Sequence, residues 1–167
     1  MTAFTITHTT DLTARPEDVW AVVTDYRRDP QWRTGVIRMT PSPEGPLSAG
    51  TTTAEELRFA GKVWHNDGEV TSVDPGRRFT WRTTRGAQAH GARSVEPLDA
   101  GRSRVQLELT VTPTGLERLM APLLRRMLDR NLAGDLERLR AVVEASATAP
   151  APAPAPAPAT ATVATGR

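Results

Sequence analysis

Apolar and polar residues alternate from Thr5 to Leu12, the period of a strand with one buried face. That strand is expected over about residues 3–13. Pro16 then sits where a first helical residue belongs, with φ already set and no amide left idle. Glu17 and Asp18 follow in the first turn, where the helix dipole favours negative charge. Val19, Trp20, Val22, Val23 and Tyr26 give this helix, expected over 16–24, one apolar side. Asp29-Pro30 breaks it, and a second short helix over 28–32 ends on Trp32.

Alternating segments continue downstream. A strand at about 34–41 ends in the turn-rich stretch PSPEGP, and strands at 51–59 and 62–73 form a hairpin around Ala60-Gly61. Asp74-Pro75-Gly76 predicts a turn, since proline fixes φ and glycine tolerates the positive φ of a type II turn. A strand at 78–84 follows, then a last hairpin, 88–97 and 102–112, around Asp99-Ala100-Gly101. The period then lengthens. Leu116, Leu119, Met120, Leu123, Leu124, Met127, Leu128, Leu132, Leu136, Leu139, Val142 and Val143 recur three and four apart, one helical stripe. Thr114-Gly115-Leu116-Glu117 fits a capping box at its start. Pro122 predicts a kink or a restart, and Gly134 weakens the middle.

The opening DLTARPEDVWAVVTDYRRDPQW (11–32), the strand-turn-strand GEVTSVDPGRRFTWRT (68–83), the late hairpin VEPLDAGRSRVQLELTV (95–111) and the closing helix resemble one superfamily. It is the START/Bet v 1-like (SRPBCC) group, with its lipid-transfer domains, plant pathogenesis-related class 10 proteins and bacterial polyketide cyclase/dehydrase-like proteins. The likeness covers about residues 3–145. It implies an α+β helix-grip fold: a curved antiparallel sheet of about six or seven strands around a long C-terminal helix, with two short helices after strand one. A sheet that wraps a helix incompletely leaves a cavity, and such clefts are mostly apolar with a few polar groups.

Composition narrows the class. The chain has 167 residues, 38% hydrophobic and 24% charged, as a single globular domain does. Domain organisation is read as a ligand-binding domain over 1–145 and a disordered tail over 146–167, which carries five Ala-Pro repeats at 149–158. Proline-rich chain of this kind favours extended polyproline II without a packed core. No apolar run reaches the roughly 18 residues of a membrane span, and the N-terminus lacks a secretory pattern, so a cytoplasmic protein without stable membrane insertion is expected. The sequence pI near 9.9 misleads. The tail holds only Arg167, so the remainder is net +1, no footprint for nucleic acid. Arg27-Arg28, Arg77-Arg78 and Arg125-Arg126 read as solvated faces. Cysteine is absent, which excludes disulfides and thiolate chemistry. His8, His65 and His90 lack metal-ligand spacing, and neither a metal nor a cofactor is expected. Nucleophile elbow, P-loop and dinucleotide-binding glycines are all missing.

Chemistry must then come from side chains facing the cavity. Phe79, Trp81 and Thr83 share one strand face, as do Val105, Leu107, Leu109 and Val111, and both faces are expected inward. In 62–73, Trp64, Asn66 and Val70 share one parity and His65, Asp67 and Glu69 the other. Val70 and Val73 both suit burial, so the inward parity stays open unless a bulge switches it. Arg93 shares parity with Val95, which sends His90 outward. The ligand-binding candidates are Tyr26, Trp32, Trp64, Phe79, Trp81, Leu107, Leu109, Met120, Leu124 and Met127. Each aromatic has plain core packing as its alternative, although flexible methionines also suit varied apolar ligands. Arg93, His65 and Glu55 are the catalytic candidates. Their bland readings are a solvated strand arginine, a hydrogen-bonded histidine and a surface carboxylate.

Three functions compete. The first is a carrier of a small hydrophobic molecule such as a polyketide, isoprenoid, quinone or lipid. The second, implied by the resemblance, is a polyketide cyclase/dehydrase acting on a poly-β-ketone, with a donor near the developing enolate and a base in reach. Arg93 with His65 or Glu55 would fill those roles. The third is an interaction protein with a collapsed cavity. The oligomeric state, monomer or dimer, is left open.

Overall fold

The computed structural model describes residues 3–148. The Ala-Pro repeats of the expected tail lie outside the described residues. Seven strands, β1 (Phe4–Leu12), β2 (Val36–Ser42), β3 (Thr52–Phe59), β4 (Lys62–Asp74), β5 (Arg78–Arg85), β6 (Ala89–Asp99) and β7 (Arg102–Val111), form one antiparallel sheet. Their order is β1-β7-β6-β5-β4-β3-β2, so consecutive hairpins build the sheet and only β1 crosses to join β7. Helices α1 (Pro16–Thr24) and α2 (Asp29–Trp32), with a 3-10 turn at Tyr26–Arg28 between them, follow β1, and α3 (Ala121–Thr148) closes the chain. This is the helix-grip fold that the pattern and the resemblance predict.

Local chemistry places these elements. Pro16 opens α1, and Arg15 just before it holds Asp18 through two bonds of 2.8 and 2.9 Å. The helix buries Val19, Val22 and Val23. In β4 the open parity resolves through a bulge: Val70 pairs with Trp81, but Ser72 pairs with Thr80. Trp64, Asn66, Gly68 and Val70 therefore turn inward, and beyond the bulge Val73 also packs against the core.

The C-terminal helix starts later than its stripe suggests. Gly115–Arg118 forms a 3-10 turn, and the α-helix begins at Ala121. Proline cannot donate to a preceding turn and disfavours a helical residue before it, so Pro122 belongs in a first turn. Leu119 and Met120 consequently precede the helix and stand 82% and 58% exposed. At the other end α3 runs on to Thr148, past the expected domain limit at 145.

Two cores result. In the first, Leu132, Leu136, Leu139 and Val143 of α3 meet Ile6, Leu12, Val105 and Leu107 of the sheet and the valines of α1. Leu139 is fully buried, and each such side chain contributes about 1.5–3 kcal/mol through apolar burial. The second holds Tyr26, Val36, Met39, Val70 and Phe79. Phe79 meets Trp20 and Tyr26 edge-on, with centroids 6.2 and 5.9 Å apart, the geometry that aromatic quadrupoles favour.

Candidate functional site

Between the N-terminal half of α3 and strands β3 to β7 lies a cavity of about 370 Å³, within the usual range for small-molecule sites. Leu123, Leu124, Met127 and Leu128 form its helix wall, with Met120 just ahead of the helix; Leu57, Phe59, Trp64, Trp81 and Leu109 form its sheet wall. A smaller pocket of about 90 Å³ adjoins it, lined by Trp32, Asn131, Leu132 and Asp135, and Arg33 and Arg93 border both. Glycine sets the sheet wall. A Cβ on Gly91 would stand 2.1 Å from the Glu108 carbonyl oxygen and 2.9 Å from the Trp81 ring. No other residue lets that indole lie against β6.

The floor is polar and continuous. Arg93, on β6, donates to both oxygens of Asp29, at 2.8 and 2.6 Å, and to the Val23 carbonyl at the end of α1 at 2.8 Å. Its guanidinium is wrapped by Tyr26, Trp32 and Phe79, with ring centroids at 5.0, 4.7 and 5.5 Å, where the ring faces attract a cation. Asp29 is fully buried. Arg33 Nη1 bridges Asp29 at 3.0 Å and Glu55 at 2.8 Å. The other Glu55 oxygen accepts from Asn66 at 2.8 Å, and Asn66 Oδ1 accepts from the Ala87 amide at 3.1 Å. Gly86, with φ +93°, makes the turn that brings this amide in; a Cβ there would stand 2.2 Å from Asn66 Oδ1. Bidentate, charge-assisted pairs of this kind hold their geometry tightly.

Charge and burial act together on two floor groups. Burial pushes the Tyr26 phenol up to about 12. Burial alone would lower Arg33, but the Glu55 and Asp29 carboxylates outweigh it and hold the guanidinium charged. Although deeply set, Arg33 keeps 23% of its side chain exposed.

Placement of the sequence candidates is uneven. Tyr26, Trp64, Trp81, Leu109, Met120, Leu124 and Met127 line the cavity, as do Glu55 and Arg93. Trp32 and Leu107 border only the smaller pocket, and Phe79 sits wholly within the second core. Trp32 is 1% exposed, and its indole N–H is the one sealed side-chain donor without an acceptor among the described residues. His65 is exposed on the outer face, because the inward parity of β4 belongs to Trp64 and Asn66. It does not meet Glu55 or Arg93 in the cavity. Sequence reasoning missed Arg33, Asn66 and Asp29 as floor residues. The available signal was the arginine directly after the short aromatic helix, on the side that also carries Asp29.

An open antiparallel sheet gripping a C-terminal helix over a cavity defines the START/Bet v 1-like class. The chain belongs to the polyketide cyclase / dehydrase and lipid transport family, which matches residues 3–144. Among solved structures it resembles the Zhui aromatase/cyclase of a Streptomyces species at 18% identity and TM-score 0.75, over 89% of this chain and 98% of that one. A Thermus thermophilus protein matches at 19% identity and TM-score 0.74, over 87% and 100% of the two chains. A START superfamily protein of Mycobacterium smegmatis matches at 16% identity and TM-score 0.70, over 85% and 98%. These likenesses concern the fold. No curated protein matches the chain. Among the described residues, no helix is long and apolar enough to cross a membrane, and no cluster of metal-ligating side chains forms.

Proposed function

We propose that the protein binds and carries a small hydrophobic molecule between α3 and the sheet. The observation that carries this reading is the open cavity of about 370 Å³ with an aliphatic, methionine-rich helix wall and two indoles opposite. Affinity there comes from apolar surface removed from water, about 25 cal/mol per Å². An open cavity does not suit the collapsed interior of an interaction protein. Membership of a family that includes lipid-transport proteins supports the reading further.

The test is native mass spectrometry of the purified chain, with organic extraction of whatever comes off. A co-purified apolar compound, or a mass shift on adding a quinone, fatty acid or aromatic polyketide, supports carriage. A clean mass unchanged by all three classes overturns it.

A polyketide cyclase is the second reading, favoured by one feature: the Glu55 carboxylate borders the cavity with a guanidinium at 2.8 Å. Such a pair could position a carbonyl and take a proton as an enolate forms. If Glu55→Gln folds but loses turnover of a poly-β-ketone, this reading displaces simple carriage.

A further inference from the structure

We propose that the start of α3 and the β3–β4 hairpin together form a docking face for an anionic lipid surface, with Leu119, Met120 and Leu123 seated in the membrane interface and arginines on the headgroup phosphates. The inference goes beyond the carrier reading and stands on Leu119 and on charges that the cavity does not use.

Exposed apolar surface collects at this end. Among the described residues five large apolar side chains stand exposed, and Leu119, Met120 and Leu123 are three of them, at 82%, 58% and 52%. A fourth, Val63, lies on the β3–β4 hairpin, which borders the same cavity through Phe59 and Ala60. Local geometry holds the group out in water. Pro122 delays the α-helix, so Leu119 and Met120 leave the Gly115–Arg118 turn before the helical stripe begins to pack. Apolar side chains gathered in one exposed patch mark a contact surface, whereas singly scattered ones do not.

Charge selects the partner. Residues 115–130 hold Arg118, Arg125, Arg126 and Arg130 against Glu117 and Asp129, and the hairpin at 58–63 adds Arg58 and Lys62 with no carboxylate. These two segments are net +4, whereas the whole chain ahead of the tail is net +1. Asp129 is drawn to β1, where it meets His8 at 2.9 Å. Arg125, Arg126 and Arg130 are exposed and have no ion-pair partner among the described residues. Leu123, Arg126 and Arg130 stand three and seven positions apart, on one helix face. Apolar side chains beside free guanidinium groups suit a helix lying in a membrane interface: the apolar groups sink below the headgroups, and the arginine stems reach back up to the phosphates. An acidic protein would satisfy the charges, but would satisfy Leu119 only if it also carried a matching apolar pocket. A lipid surface supplies both.

The test is co-sedimentation of the full chain with vesicles of phosphatidylcholine alone and of equimolar phosphatidylcholine and phosphatidylglycerol. The chain should bind the anionic vesicles, largely ignore the neutral ones, and come off as salt is added. Arg126→Gln and Arg130→Gln should each weaken binding about fivefold, as expected for one charge at a lipid surface. Leu119→Ser should weaken it about tenfold, while uptake of ethylnaphthalene from solution stays unchanged. Because the chain has no cysteine, Leu119→Cys can carry a single polarity-sensitive dye, whose emission should shift to the blue on the anionic vesicles. Failure to bind either vesicle overturns the docking face, and ethylnaphthalene uptake then leaves the carrier reading intact. Vesicle binding without ethylnaphthalene uptake supports the docking face and counts against carriage. Sedimentation with an unshifted dye, or undiminished in Leu119→Ser, overturns the proposal, since charge alone then makes the contact. Polyglutamate that binds as tightly as the anionic vesicles and displaces the chain from them makes the face a site for an acidic protein and overturns it equally.

Discussion

The two halves of α3 carry the same apolar period and meet opposite fates. From Leu132 to Val143 the stripe is packed against β1, β7 and α1, and Leu139 has no exposed surface. From Leu123 to Leu128 the same stripe faces a void, and Leu123 is 52% exposed. The helix does not make this difference; its partners do. At the closed end, β-branched and leucine side chains reach up from the sheet and α1 reaches across. At the open end α1 is absent, and Trp81 lies back against Gly91. Hydrophobic periodicity therefore reports a face, not whether that face is filled.

The contrast can be broken most violently at the junction of the two ends. Arg93→Ala leaves Asp29 charged and without its main partner in full burial, and should destabilise the fold by about 3–5 kcal/mol in urea unfolding. An unchanged midpoint would mean that the pair does not join the halves. Next comes the matched leucine pair. Leu139→Ala should cost about 3 kcal/mol through lost burial and a new cavity. Leu124→Ala, beside an existing void, should cost under about 1 kcal/mol yet weaken apolar-probe binding. Equal losses of stability would erase the distinction between a closed and an open end.

Ionisation gives smaller, sharper tests. Tyr26 is the sole tyrosine beside four tryptophans that do not ionise, so the pH-dependent change in near-ultraviolet absorbance follows it alone. Its phenol should titrate near 12 in the folded protein instead of near 10. Because the unfolded chain loses this proton first, its contribution to stability is complete below pH 10 and disappears as pH rises towards 12. Titration at the ordinary value would place the ring in water. The smallest effects belong to the exposed aspartates. Hydrogen bonds from Arg104, Arg15, Arg85 and Arg102 hold Asp11, Asp18, Asp67 and Asp99 below the ordinary 3.8. What they contribute is present above that value and fades as pH drops below it. Replacing all four by asparagine should flatten the acid limb of a stability-pH curve slightly, and salt should mimic the change.

Strand alternation, the Pro16 helix start and the Asp74-Pro75-Gly76 turn were legible because each is a local rule that the tertiary structure obeys. Register irregularities were not. Val70 and Val73 both demanded an inward face, and only the β5 partner shows that a bulge after Val70 grants it to each. The expected capping box at Thr114 falls at the 3-10 turn Gly115–Arg118, while the α-helix itself begins at Ala121, where Pro122 fits a first turn. Within the site, apolar cavity residues such as Trp64, Trp81 and Leu124 follow from parity and period. Phe79 carries the same signal yet packs into solid core, and Trp32, in the other core, reaches only the smaller pocket, since aromatic size favours either place. The Asp29-Arg33-Glu55-Asn66 floor draws on α2, β3 and β4 at once. No window of sequence contains it.

Gly91 shows what the open end implies over longer times. The indole resting on that bare backbone leaves room that no structural duty claims, while the clamp at Leu139 bears the fold's stability several turns away. Residues around the hollow can then drift with little penalty, and a descendant chain can reshape that hollow without relearning how to fold.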